Sequence, residues 1–88
     1  MFRLWGKIFK SNKMLRDSVY CDSSDLNRTR KIFAGLESIC RDFDLSVPIW
    51  LDSNISDFKR VAKTRFTKDS FIDAVDFDYL EIQIIEED

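Results

Sequence analysis

Met1-Phe2-Arg3-Leu4-Trp5-Gly6-Lys7-Ile8-Phe9-Lys10 opens the chain and admits two readings. At a period of two, Phe2, Leu4 and Ile8 share one face of a strand, with Trp5 and Phe9 on the other. At the helical period, Met1, Phe2, Leu4, Trp5, Ile8 and Phe9 fill one arc and Arg3, Lys7 and Lys10 the opposite one, as in a cationic helix lying on a membrane. Gly6 in mid-segment, the shortness of the run and the presence of a hairpin partner just beyond it favour the strand. That partner is residues 14–21, which alternate as well, with Leu15, Val19 and Cys21 on one face. Between the two runs Lys10-Ser11-Asn12-Lys13 is polar, and Asn12 tolerates a left-handed turn conformation. The resulting hairpin pairs Phe2 with Cys21, Leu4 with Val19 and Ile8 with Leu15, an apolar face toward the core. The same register sets Lys7 against Arg16, which is unfavourable.

Outward from the hairpin, Asp22-Ser23-Ser24-Asp25 is a polar break in which Ser24 serves as an N-cap. Leu26, Ile32, Phe33, Leu36, Ile39, Cys40 and Phe43 then recur at helical spacing and predict a core-facing helix from Asp25 to Phe43, with Arg30, Lys31, Glu37 and Arg41 pointing elsewhere. Pro48 disfavours helical geometry at Val47, so residues 44–52 form an apolar loop carrying Val47, Ile49, Trp50 and Leu51 over the core. Ser53 caps a shorter helix with Ile55, Phe58, Val61 and Ala62 inward. Thr67 caps a third helix of one or two turns with Phe71, Ile72 and Val75. Residues 77–86 end the chain as a strand, Leu80, Ile82 and Ile84 facing one way and Tyr79, Glu81, Gln83 and Ile85 the other. The expectation is an α+β fold in one domain over residues 1–88. A three-stranded antiparallel sheet, the hairpin plus the C-terminal strand beside strand 1, carries one long and two short helices on one face in the order β-β-α-α-α-β.

Bulk composition narrows the function classes. The chain has 88 residues, 44% hydrophobic and 14% aromatic, with two Gly and one Pro, which excludes disorder and linker-like or collagen-like chains. Lys and Arg number 14 against 16 Asp and Glu, a formal charge of −2, so nothing in the total calls for nucleic acid or an anionic membrane. Cys21 and Cys40 sit on different elements and form no ligand pair. The N-terminal run lacks the apolar stretch of a signal peptide, and no segment is long enough to span a bilayer. Asn27-Arg28-Thr29 and Asn54-Ile55-Ser56 match the glycosylation triplet by chance in a chain without a secretory signal. These features point to a cytoplasmic protein with reduced thiols.

Catalytic chemistry finds little footing. No histidine is present, which removes imidazole bases and most zinc and haem sites. Two glycines cannot write a phosphate-binding or dinucleotide-binding loop. A calcium loop beginning with Asp52, Asn54 and Ser56 fails, because Asp57 stands where glycine is needed and Lys63 where a bidentate glutamate belongs. No enzyme, metal or cofactor is expected. Asp76 and Asp78, two apart in an extended segment, share a face and are the nearest approach to a hard-cation pair, although such an ion needs more converging oxygens.

Leu4-Trp5-Gly6-Lys7-Ile8, Phe43-Asp44-Leu45-Ser46, Pro48-Ile49-Trp50-Leu51, Arg65-Phe66-Thr67-Lys68-Asp69 with Phe71-Ile72, and Asp76-Phe77-Asp78-Tyr79-Leu80-Glu81-Ile82 together give a chain that resembles a small family of uncharacterised clostridial (Firmicutes) proteins of similar length. The resemblance covers nearly the whole chain. It implies a stand-alone domain in a Gram-positive anaerobe and brings no activity and no catalytic residues.

Two functional expectations remain. The first is a non-enzymatic module for protein–protein contact or self-association, acting through an exposed sheet edge, with Trp5 and Trp50 as contact anchors. For Trp50, core packing competes with that role. The alternative is nucleic-acid binding by Lys59, Arg60, Lys63 and Arg65, with Phe66 among them. Against the alternative, the basic residues also serve to complement the acidic C-terminal part, where residues 69–88 carry no Lys or Arg.

Overall fold

In the computed structural model, which describes residues 1–87, Ser11 and Asn12 both take left-handed backbone angles, φ 52° and 65°. They make a two-residue turn between strands β1 (Phe2–Lys10) and β2 (Lys13–Asp22). Asp78 secures this turn, its Oδ2 accepting from the Ser11 N–H at 2.8 Å. Beside the turn the pairs are Lys10 with Lys13 and Phe9 with Met14, the register expected from the sequence. Then the ladder shifts by one residue, so that Ile8 meets Arg16, Gly6 meets Ser18, Leu4 meets Tyr20 and Phe2 meets Asp22. Because side chains alternate with a period of two, the shift turns Val19 and Cys21 away from the core and turns Arg16, Ser18, Tyr20 and Asp22 toward the helices, while Leu15, the extra residue at the bulge, borders a pocket with Ile8 and Phe43 and stays exposed. The expected Phe2–Cys21, Leu4–Val19 and Ile8–Leu15 pairs are therefore not formed, and Lys7 faces Asp17 rather than Arg16. The reason lies in helix α1 (Arg28–Asp42), whose C-terminal turn receives these polar residues. Arg16 donates to the Asp42 carbonyl at 3.1 Å, and Ser18 Oγ donates to the Asp42 carboxylate at 2.6 Å. A cation at a helix C-terminus is favourable.

α1 starts later than the sequence suggests. Ser24 accepts from the Leu26 N–H in a turn, and Asn27 is the true N-cap, its side chain accepting from Arg30 at 2.9 Å. Ile32, Leu36, Ile39, Cys40 and Phe43 are buried as the stripe predicts, whereas Leu26 and Phe33 are exposed and Lys31 is buried. Helix α2 (Asp52–Val61) buries Asn54 and Phe58 and leaves Ile55 and Val61 in water. Asn54 Oδ1 accepts from Leu51 N–H, while its Nδ2 donates to Thr64 Oγ1 and to the Arg65 carbonyl, each at 2.9 Å. This fully used amide fixes the start of α2 to the segment beyond its C-terminus.

That segment corrects the expected fold. Ala62 ends α2 in the left-handed region, φ 57°, and Lys63–Thr67 forms a strand, β3, with Thr64 and Phe66 buried and Lys63, Arg65 and Thr67 exposed. The third helix reduces to one 3-10 turn, Lys68–Ser70, and Ile72, expected to face the core, is 81% exposed. Strand β4 (Tyr79–Glu86) pairs with both β1 and β3. The sheet has four antiparallel strands, not three, in the order β2-β1-β4-β3, and the chain order is β-β-α-α-β-β with two helices instead of three. The α+β class stands.

The core is one cluster. It joins Phe2, Leu4 and Ile8 of β1, Phe66 of β3 and Leu80 and Ile82 of β4 to the inner stripe of α1 and to Phe58, with Phe71 and Phe77 closing one end. Both helices lie on this face, so among the described residues no element covers the opposite face of the sheet. Among the described residues no helix is long and apolar enough to cross a membrane, and residues 2–10 form the inner strand β1 rather than a helix.

Candidate interaction face

The uncovered face is set by the odd-numbered positions of β1, β3 and β4 and of β2 beyond its bulge, with Met14 of β2 on the turn side of it. Across its middle row Asp17, Lys7, Glu81 and Arg65 stand side by side, with Val19, Trp5, Gln83 and Lys63 in the next row and Met14, Phe9, Tyr79 and Thr67 in the row on the turn side. The Lys7 ammonium lies 2.9 Å from the Glu81 carboxylate, donates to Gln83 Oε1 at 3.1 Å, and sits 3.9 Å from the centre of a Trp5 ring. Arg65 adds a second bond to Glu81 at 3.1 Å and covers the Tyr79 ring, its guanidinium carbon 4.5 Å from the ring centre. The Trp5 indole donates to Asp17 at 2.9 Å, and Phe9 stacks on Tyr79 with centroids 5.1 Å apart.

Lys7 and Glu81 are buried on a face that nothing covers, at 7% and 6% exposure, because the neighbouring aromatic rings and the Arg65 stem shield them. Burial alone raises a carboxyl pKa, but the hydrogen bonds and charges of Lys7 and Arg65 together outweigh it and hold Glu81 below the usual glutamate range. The face is thus a neutralised polar network framed by aromatic rings.

Of the residues singled out from sequence, Trp5 stands in this face, half-buried and with its N–H used. Trp50 belongs to the other side of the molecule, half-buried and edge-on to Phe33, Phe58 and Phe66 with centroids 5.1 to 5.8 Å away. Arg60, Lys63 and Arg65 border one pocket together with Asp57 and Glu81, and Lys59 stands apart from them. Lys63 and Arg65 point from β3 onto the open face, Arg60 pairs with Asp57 at 3.2 Å, and Lys59 borders a cleft between α1 and α2. Asp78 serves the hairpin turn, and the described residues contain no group of three or more carboxylates or thiols placed for a metal ion. Burial pushes the Cys40 thiol up to about 11, which keeps it neutral, while Cys21 is exposed on β2.

Sequence reasoning missed the partners that make the face: Lys7, Phe9, Tyr79, Glu81 and Gln83. Their signal is present in the alternation of both strands and becomes legible once β1 is laid antiparallel to β4. β2 is an outer strand, as placing the C-terminal strand beside strand 1 implies, and it is ten residues long. Its backbone bonds to β1 on one side, and among the described residues no backbone group takes the other side. Met14, Leu15 and Val19 are exposed along it, at 48%, 53% and 44%. Compared with known proteins, the chain matches no family model, no curated protein and no solved structure.

Proposed function

We propose that the protein is a non-enzymatic contact module of the cytoplasm that adds a strand from another protein chain along β2, and that a second copy of the same chain fills this role. The observation that carries the reading is the free edge of β2, long, without proline, and bordered by exposed Met14, Leu15 and Val19. Such an edge is a template for strand addition unless charge, a proline or a covering element blunts it. Two copies related by a two-fold axis at Ser18 set Leu15 opposite Cys21, Asp17 opposite Val19 and Arg16 opposite Tyr20, with no like charges opposed. The basic residues favour nucleic acid less, since Lys7 and Arg65 share Glu81, Arg60 meets Asp57, and Arg3 meets Glu86 at 2.9 Å.

Sedimentation equilibrium over a concentration series tests the proposal. The wild-type chain is expected to dimerise. Val19→Asp sets carboxylates against Asp17 on both sides of the axis and is expected to give monomers, whereas Val19→Lys sets opposite charges there and is expected to retain the dimer. A wild-type chain that stays monomeric at millimolar concentration, or a dimer indifferent to Val19→Asp, overturns it.

A further inference from the structure

The sheet has a second outer strand, β3, at the end opposite β2. In an antiparallel ladder the backbone groups of successive residues point alternately toward the partner strand and away from it. The Ile84 N–H donates to the Ala62 carbonyl at 3.0 Å, and in the same register Thr64 lies opposite Ile82 and Phe66 opposite Leu80. Ala62, Thr64 and Phe66 therefore aim their backbone at β4. Lys63, Arg65 and Thr67 aim theirs at the outer side, where a further strand would bond.

That outer side is taken by the chain itself. The Arg65 carbonyl accepts from Asn54 Nδ2 at 2.9 Å, and the same nitrogen donates to Thr64 Oγ1 at 2.9 Å. Thr64 Oγ1 in turn donates to Asp57, one turn further along α2, at 3.3 Å. These bonds hold the first half of α2 against β3, with Asn54 on the outer side of the strand. Asn54 is 3% exposed and also uses its Oδ1, on the Leu51 N–H. A strand arriving at β3 has to displace this amide, and a buried amide stripped of its partners is costly. Lys63 and Arg65, exposed on the same five-residue strand, add charge that discourages edge pairing.

We infer that Asn54 is an autoinhibitory contact that closes β3 to strand addition by a second copy, so that copies joined through β2 stop at a closed pair instead of growing into a filament. The stop at two rests on the β2 pairing proposed above; the closure of β3 does not. The occupant that Asn54 keeps out is β3 of another copy. Two such strands paired about Phe66 set Arg65 opposite Thr67, with no like charges opposed there. Each Arg65 carbonyl, once released by Asn54, then accepts from the Thr67 N–H of the other copy.

Sedimentation equilibrium of the full chain carrying Val19→Asp, which disables β2, isolates β3. This variant is expected to be a monomer. Adding Asn54→Ser leaves a hydroxyl at the start of α2 but removes the donor that reaches the Arg65 carbonyl, and is expected to double the mass. Adding Thr67→Pro as well is expected to restore the monomer. Thr67 is exposed, has φ −84°, within reach of a proline ring, and aims its N–H away from β4, so proline there breaks no ladder bond. With β2 intact, Asn54→Ser is expected to give species larger than a dimer, which Thr67→Pro returns to the wild-type mass. A Val19→Asp/Asn54→Ser chain that stays monomeric at millimolar concentration overturns the inference. So do larger species that Thr67→Pro fails to disperse, since misfolded aggregates behave that way. A monomeric wild type overturns the pairing through β2, while the closure of β3 is still decided by the Val19→Asp series.

Discussion

Gly6 and Gly35 both lie where α1 descends onto the sheet. A Cβ on Gly6 would stand 2.4 Å from Ile39 Cγ2, and one on Gly35 would stand 2.8 Å from both Leu4 Cδ2 and the Tyr20 ring. Neither glycine has a positive φ, so the requirement is room rather than backbone freedom. Ile39 Cγ2 is attached at the root of a branched side chain and cannot swing aside. Gly6→Ala is therefore expected to cost about 1–3 kcal/mol by overpacking, measured by urea unfolding. In an Ile39→Ala background, where the clash is gone, the same change is expected to cost markedly less. The sequence shows Gly6 as an interruption of a helical arc, which is enough to favour a strand. Its actual contribution depends on Ile39, more than thirty positions away, and no local pattern contains that.

The strand pair β1–β2 shows how one residue at one element alters the whole pattern. The turn chemistry of Ser11 and Asn12 places the hairpin correctly, and the pairs nearest the turn come with it. The bulge beside Leu15 then reverses the facing of the rest of β2. Alternation alone favours the more apolar face of β2 inward. Against it, α1 presents a C-terminal turn that needs donors, and Gly6 needs a small opposite number, which Ser18 provides. Stability of two variants separates the registers in dilute solution. Leu15→Lys is expected to change stability by less than about 0.5 kcal/mol, as exposed positions do. Tyr20→Ala, which removes a ring packed on Gly35, is expected to cost about 2 kcal/mol; the unshifted register demands the reverse order. β3 was hidden for a different reason. Lys63–Thr67 is too short for strand and helix periods to be told apart, and Ala62, which ends α2, is neither the glycine nor the asparagine that normally announces such a stop. The open-face network inherits this difficulty, since half of it depends on β3 and on the β1–β4 register.

For the molecule as a whole, charge is arranged across the sheet rather than into separate basic and acidic domains. Glu81, Glu86 and Glu87 of the C-terminal part receive Lys7, Arg65, Arg3 and Arg28; the two bonds to Glu81 tie β1 and β3 to β4, while the Arg3–Glu86 and Arg28–Glu87 pairs are exposed and add little. Of these acids only Glu81 is buried. Its folded-state pKa lies below the ordinary 4.5, so its contribution is fully present above that value and is lost as the pH falls through the folded value. Glu81→Gln leaves the buried Lys7 ammonium with the amides of positions 81 and 83 and the Trp5 ring, and with no carboxylate beside it. It is expected to cost about 3 kcal/mol at neutral pH and to flatten the fall in stability below pH 4.5, tracked by thermal melts across the acid range. An unchanged acid slope would place the sensitivity elsewhere.

The partnership of β1 with β4 has a mechanical consequence. These are the first and last strands of the chain, they run antiparallel, and the ammonium of Met1 lies 3.8 Å from Glu86. A load pulling residues 1 and 87 apart therefore does not shear the ladder. It opens the rungs one at a time, from Arg3–Glu86 toward Phe9–Tyr79, each rung carrying the whole load only while the next is still closed. The molecule yields like a zipper when drawn by its ends.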